Sequence, residues 1–395
     1  MLNRRELIRQ GVVVVGTAVA SSVKTSFAQL IPELSSTAEH AAVDAILRQA
    51  TNASEASTRQ QLLRQVQQIT EELNRKAITE YLAGACQFPS TPMTLDQVPR
   101  DTAIIYPIAL QDRLVILVGL NSRLQTYEVN IGAERLARAV RYLRDEMQIV
   151  GASFGGIDRA SAELFRWLAA PYLEDLRQNS VSTLVFVSTP ELRLLPLATL
   201  YDGRRYLIEE FAVVSSFGLG LTSTQTTSVS GDQLLLTEQL TLADFSASLQ
   251  SNSLSTVHVS APAYFEAQAT DSYIQTLDDK LTLASLYQLL AAQNGEEDHL
   301  KLLILSASRT VRGEQQSVLG LSAINFIAGA DSSVTSTWQV NAQATAVLIA
   351  TFSLGLQQGL GKAAALRMAQ LELMHSPRFS HPSYWGSFQL NGNGI

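Results

Sequence analysis

The sequence predicts an α/β fold: a mostly parallel sheet with helices on both faces, preceded by an N-terminal helical segment. Three observations carry this. From about residue 182 onward, short apolar runs alternate with helical patterns, the order that lays strands side by side in a parallel sheet. "LKLLILSASRT" (Leu300 to Thr310) is an apolar run ending in small polar residues, as a buried parallel strand reads when it delivers its end to a functional edge. Residues 38–85 instead place apolar side chains three and four apart, a helical spacing.

The first 28 residues read as an export signal rather than as part of the fold. "NRRELIR" (Asn3 to Arg9) precedes the apolar "GVVVVGTAVA" (Gly11 to Ala20), and "SFAQ" offers small residues for cleavage after Ala28. The apolar core is too short to span a bilayer. Arg4-Arg5, followed by Leu7, Ile8 and basic Arg9, resembles a twin-arginine signal, which places the protein in the periplasm or the thylakoid lumen. No other window approaches the length of a membrane span, so no stable span is expected after signal removal.

Residues 29–95 form the helical segment and a linker, and residues 96–395 the main domain. The helical part reads as a hairpin with no tetratricopeptide period. "QFPSTPMTLDQVPRD" carries three prolines and marks the linker. "TAIIYPIAL" and "DRLVILVGL" pair across a turn at Gln111-Asp112, and "LQTYEVN" adds a third strand. "ERLARAVRYLRDEM" is an amphipathic helix burying Leu136, Val140, Leu143 and Met147. Its Arg135, Arg138, Arg141 and Arg144 read as a solvated stripe. "ASAELFRWLAAPYLEDLRQ" is a second helix, kinked at Pro171. Strands at "STLVFVS", "STVHVSA", "LKLLILSAS" and "SSVTSTWQV" then alternate with helices at "LTLADFSASLQ", "LTLASLYQLLAAQ", "LSAINFIAGA" and "AQATAVLIATFSLGLQQG". "TSTQTTSVSGDQ" (Thr222 to Gln233) reads as a loop.

Composition excludes several functions. The net charge of −7 with no basic block argues against a nucleic-acid surface. The single cysteine, Cys86, makes neither an internal disulfide nor a cysteine-rich metal site. It reads as a buried free thiol. The five histidines, His40, His258, His299, His375 and His381, show no metal-ligand spacing, so no metal and no cofactor are expected. "GLQQGLGKA" (Gly355 to Ala363) fails as a phosphate loop: it is one residue too long, Ala363 replaces the hydroxyl, and it falls late in a helical pattern.

In a parallel sheet, sites gather at the carboxyl ends of strands. Two such ends are "VHVSAPAYF" and "LLILSASRT". Together with "LVFVSTPELRLLPLATLYDGRRYLIEEFAVVSS", "LTLASLYQL", "LSAINFIAGADSSVTSTWQVNAQATAVLIATF" and "HPSYWGSFQLNGN", taken in order, they resemble the CHAT domain. The resemblance covers roughly residues 76–395 and implies a caspase-like α/β fold related to the clan CD cysteine peptidases. It also suggests a cyanobacterial type of source. In active members one strand ends in the histidine base and the next in Ser-Ala-Cys. The thiolate attacks the peptide carbonyl, while the histidine lowers the thiol pKa and protonates the leaving amine.

This sequence departs at both places. "SAPA" puts Pro262 where the family carries the base, and "SAS" puts Ser308 where it carries the nucleophile. The stretch between Ser216 and Val257 is also shorter than the family usually has. A serine hydroxyl needs a positioned base, and His258, four residues earlier on its strand, lies roughly 13 Å back at about 3.3 Å per residue. The resemblance gives the His258 position a core or supporting role.

The expected function is an exported pseudopeptidase without proteolytic activity, binding an unknown protein or peptide. Its groove candidates are His258, Ser260, Ala263, Ser306, Arg309 and Trp338. The alternative is an active caspase-like endopeptidase with a rearranged site, using Ser308 and a histidine such as His299 or His381. A purely structural envelope role is a third reading.

Overall fold

The computed structural model describes residues 36–394 apart from 150–152, 188, 191, 194, 225–228, 230–231, 251–253, 292–299, 307, 312–314 and 340. The side chains of 36–38, 232, 250, 291, 308–311 and 315–317 are also outside the description. The expected signal, residues 1–28, and His299 therefore lie outside the described residues. Residues up to Ala45 form a unit of their own, whose described part begins helix α1 (Ser36–Asn52).

Helix α2 (Ala56–Tyr81) turns Leu62, Leu63, Val66 and Ile78 inward at the three- and four-residue spacing of its sequence. It ends before Cys86, which lies half-buried in the following extended segment with its thiol pKa raised by burial. The proline-rich linker is tied down along its length. Gln87 N donates to Phe326 O at 2.8 Å and Met93 N to Thr222 O at 2.8 Å.

Strands β1 (Thr102–Ala109), β2 (Leu114–Leu120) and β3 (Arg123–Val129) form an antiparallel meander, as the alternating apolar runs require. Helix α3 (Ala133–Gln148) buries the four expected apolar residues and also Arg144. Positions three apart drift about 60° per step around a helix of 3.6 residues per turn, so the fourth arginine of the row faces the opposite side from the first. Helix α4 (Phe154–Leu168) does not kink at Pro171. It ends first, because proline cannot donate to the preceding turn; a 3₁₀ turn (Ala170–Tyr172) follows, and α5 (Leu173–Gln178) starts afresh.

Then come β4 (Thr183–Val187), α6 (Leu207–Glu210), β5 (Ala212–Ser216), β6 (Asp232–Thr237), α7 (Leu242–Gln250) and β7 (Leu254–Ser260). Three short strands follow, β8 (Ala263–Phe265), β9 (Tyr273–Gln275) and β10 (Lys280–Thr282), with α8 (Leu283–Ala291) after them. The run "LKLLILSAS" is not one strand. It splits into β11 (Leu302–Leu305) and β12 (Ser308–Val311), which belong to different sheets. The chain finishes with α9 (Gln315–Ser322), α10 (Ile324–Ala328), β13 (Ser332–Ser336), α11 (Ala342–Gln357), α12 (Lys362–His375), α13 (Pro382–Trp385) and β14 (Phe388–Gly392).

Among the described residues the large sheet has ten strands, in the order β3-β2-β1-β4-β5-β14-β13-β11-β7-β6. Six of its neighbour pairs are parallel and three antiparallel, so the fold is α/β with a mostly parallel sheet. Strand β14 runs parallel to β5 and antiparallel to β13. The carboxyl ends of β1, β4 and β5 therefore point to one edge, and those of β6, β7, β11 and β13 to the other. Two hydrophobic cores match these halves. One gathers Ile105, Leu136, Leu164, Leu184 and Phe211; the other gathers Phe245, Val257, Val259, Leu303, Leu305 and Ile324. The second sheet, β10-β9-β8-β12, sits where β7 and β11 end.

Helix α2 ties these parts together. The Glu71 carboxylate accepts Leu219 N at 3.0 Å, Gly220 N at 2.9 Å and the Tyr106 hydroxyl at 2.6 Å. Asn74 Nδ2 donates to Phe217 O at 2.9 Å. Near its end, the Tyr81 hydroxyl donates to Glu266 O at 2.9 Å, just past β8. Gly218 makes the clamp possible. Its φ is +137°, and a Cβ there would lie 2.3 Å from Glu71 Cγ. A Gly218→Ala variant is expected to lose about 1–3 kcal/mol of stability, from backbone strain together with the clash. Urea unfolding of the variant against the parent chain measures it.

Candidate functional site

Strands β7 and β11 are parallel neighbours, with Ile304 opposite His258 and Leu305 opposite Val259. Ser306 N donates to Val259 O at 3.2 Å, so the pairing runs to the carboxyl ends. Both chains then leave the large sheet and pair again in the small one, where Ser308 is the register partner of Ala263. Pro262 and Ser308, far apart in sequence, thus come to neighbouring places on one edge. Pro262 is buried, and its carbonyl accepts Gln275 N at 2.8 Å. Ala263 is fully buried. The backbones of Ser308 and Arg309 are placed in β12, but their side chains lie outside the described residues.

Side chains alternate along a strand. Val257, Val259, Ala261, Leu303 and Leu305 point into the second core. His258, Ser260, Ile304 and Ser306 therefore share the opposite face. There His258 Nε2 and Ser306 Oγ meet at 2.8 Å. The residues are only 9% and 8% exposed, and burial pushes the histidine pKa down to about 4. A general base works best with a pKa near the operating pH. At neutral pH this imidazole is uncharged and weakly basic. The pair is a satisfied hydrogen bond inside the sheet, and the contact went unread because it joins two residues 48 positions apart.

The same face carries a row of hydroxyls along the carboxyl edge. Thr237 and Ser260 are register partners. Ser306 and Ser336 follow directly on the partners Leu305 and Thr335. Ser306 and Ser336 are buried, whereas Thr237 and Ser260 are half-exposed, so the row opens toward β6. On the small sheet, Tyr264 stacks on Tyr273 with ring centroids 4.8 Å apart, and Lys280 Nζ sits 4.1 Å from the Tyr273 centroid. Both tyrosines are half-exposed.

The profile of the CHAT domain matches residues 158–236 and 221–393, together more than half of the chain. The chain belongs to the CHAT domain family. CHAT domains are caspase-like members of clan CD, and the α/β sheet described above is that kind of fold. The chain is also 27% identical to mouse tetratricopeptide repeat protein 28 over 136 residues, which is 34% of this chain and 6% of that protein. Human tetratricopeptide repeat protein 28 is 33% identical over 98 residues, 24% of this chain and 4% of that protein. The chain thus spans only a small fraction of the length of these relatives.

Within the CHAT domain, two residues read from sequence have other places. Trp338 does not line an open groove. It is 6% exposed in the first core, and its indole N–H donates to Ser383 O at 3.0 Å. An aromatic just past a strand end looks available in sequence, but here α13 folds back over it. His381 caps α13: its Nδ1 accepts Ser383 N and lies 2.7 Å from Ser383 Oγ, and its ring meets Phe154 edge-on. Among the described residues no three His, Cys, Asp or Glu side chains converge as for a metal ion, and no helix is long and apolar enough to cross a membrane.

The burial of His258 carries a pH dependence. Its folded pKa lies below the ordinary value of 6.5. Between pH 6.5 and about 4 the unfolded chain holds the proton and the folded chain does not. Stability therefore falls as pH drops through this window, by as much as about 3 kcal/mol. A His258→Gln variant is expected to show a flatter dependence over that window in chemical denaturation.

Proposed function

We propose that this CHAT domain is an exported module that binds a protein or peptide at the carboxyl edge of β7 and β11 without cleaving it. One observation carries the reading: the two positions brought together there hold Pro262 and Ser308. Proline has no titratable group and, being buried with its carbonyl bonded to Gln275, cannot relay a proton. The nearest imidazole along that strand, His258, is committed to Ser306 and is weakly basic. A serine hydroxyl without a base is a poor nucleophile.

What remains suits binding. The hydroxyl row opens at Thr237 and Ser260, and the Tyr264–Tyr273 stack lies on the small sheet, which Ser308 also joins. The partial likeness to proteins named for tetratricopeptide repeats supports a protein partner. The twin-arginine-like start supports export to the periplasm or thylakoid lumen.

The test is incubation with a proteome-derived peptide library, together with an electrophilic serine probe. No cleavage and no adduct at Ser308 are expected. Turnover that disappears in a Ser308→Ala variant, or a probe adduct mapped to Ser308, would overturn the reading.

A further inference from the structure

The two outer strands of the large sheet are treated differently. An edge strand presents unpaired N–H and C=O groups, and proteins protect such edges with charge or by covering them. Strand β3 is protected both ways. Gln60 of α2 donates to Leu124 O at 2.7 Å and accepts Leu124 N at 3.0 Å. Arg64 donates to Ser122 O at 3.2 Å, and Arg123 and Glu128 place exposed charges on the strand.

Strand β6, at the opposite edge, has no such cover among the described residues, and its only charged residue is Asp232 at its start. Among the described residues no strand pairs with its outer side. Gln233 to Thr237 contain no charge, and Leu235 is 54% exposed on the face it shares with His258. Leu236, on the other face, is fully buried and anchors the strand.

We infer that the outer edge of β6 receives an extended segment of a partner protein, uncharged and β-branched at its centre and basic at both ends. The backbone states the first requirement, because only an extended strand satisfies a row of edge N–H and C=O groups. Charge states the second. Asp232 and Glu238 bracket the neutral run. Two copies paired antiparallel through this edge would bring the acidic start of β6 at Asp232 of each near Glu238, just past the end of β6, of the other, and like charges brought together destabilise strand pairing. A partner with lysine or arginine at those places turns both repulsions into attractions. This surface meets the carboxyl edge at Thr237, but it uses the outer backbone of β6 rather than Pro262 and Ser308, and it does not depend on the absence of catalysis.

The experiment uses the full chain and a terminally blocked synthetic peptide of alternating valine and threonine flanked by lysines, with a glutamate-flanked peptide as its counterpart. Fluorescence anisotropy reads binding, and amide hydrogen exchange locates it. The lysine-flanked peptide is expected to bind about tenfold more tightly and to slow exchange at Gln233–Thr237. Glu238→Lys is expected to abolish that preference. Leu235→Lys, a change at an exposed position, is expected to weaken binding while leaving the unfolding transition in place. The inference is overturned by protection at Ala263–Phe265 in place of β6, by binding indifferent to Leu235→Lys and Glu238→Lys, or by no binding. It is also overturned if protection of β6 rises with protein concentration alone, because a second copy would then be the occupant.

Discussion

The architecture depends on how β14 is held. It is the last strand of the chain, yet it sits in the middle of the sheet. It pairs with β13 over five residues and touches β5 through one register pair, Asn391 with Ser215. The narrow join is reinforced by amide side chains. Asn391 Nδ2 donates to Thr335 Oγ1 at 3.2 Å, Gln389 Nε2 to Leu195 O at 2.8 Å, and Gln370 Nε2 to Phe388 O at 3.1 Å. Buried polar groups are tolerated only when satisfied, and here they lock two half-sheets of opposite direction into one. That direction places the carboxyl ends of β7, β11 and β13 together.

Helix α2 is the second constraint. Its Glu71 holds the turn after β5, and its Tyr81 reaches the turn after β8. Gly320 in α9 lies against the same tyrosine, where an added Cβ would come within 2.5 Å of the hydroxyl. One helix therefore touches the first half, the small sheet and the helix that follows β12.

The strands that do most to define the sheet were legible in sequence because they are apolar runs: β1, β2, β4, β7 and β11. Strands β3 and β13 were read as well, and the remaining ones were not, for identifiable reasons. Strands β8 to β10 have three residues each, too few to show a period. Strand β6 begins inside a Ser/Thr-rich stretch, and β14 carries glutamine, asparagine and glycine whose polarity is satisfied only by partners distant in sequence. The split of "LKLLILSAS" was hidden because a chain can change sheets without changing composition. Of the candidate residues, His258, Ser260, Ala263 and Ser306 gather along the two strand ends, whereas Trp338 is taken into the core by a helix whose docking no local pattern announces.

On the proposed reading, Pro262 and Ser308 stand where the resemblance puts the base and the nucleophile of active CHAT domains. Pro262, on the strand end beside Ser308, has no titratable side chain. The pKa of a cysteine placed at residue 308 reads this directly, because a neighbouring histidine lowers a thiol pKa well below its usual value near 8.5. Alkylation rates against pH should give Ser308→Cys an ordinary thiol pKa, and Ser308→Cys combined with Pro262→His a depressed one. A depressed pKa in Ser308→Cys alone would show that another base serves the site and would contradict a non-cleaving CHAT domain.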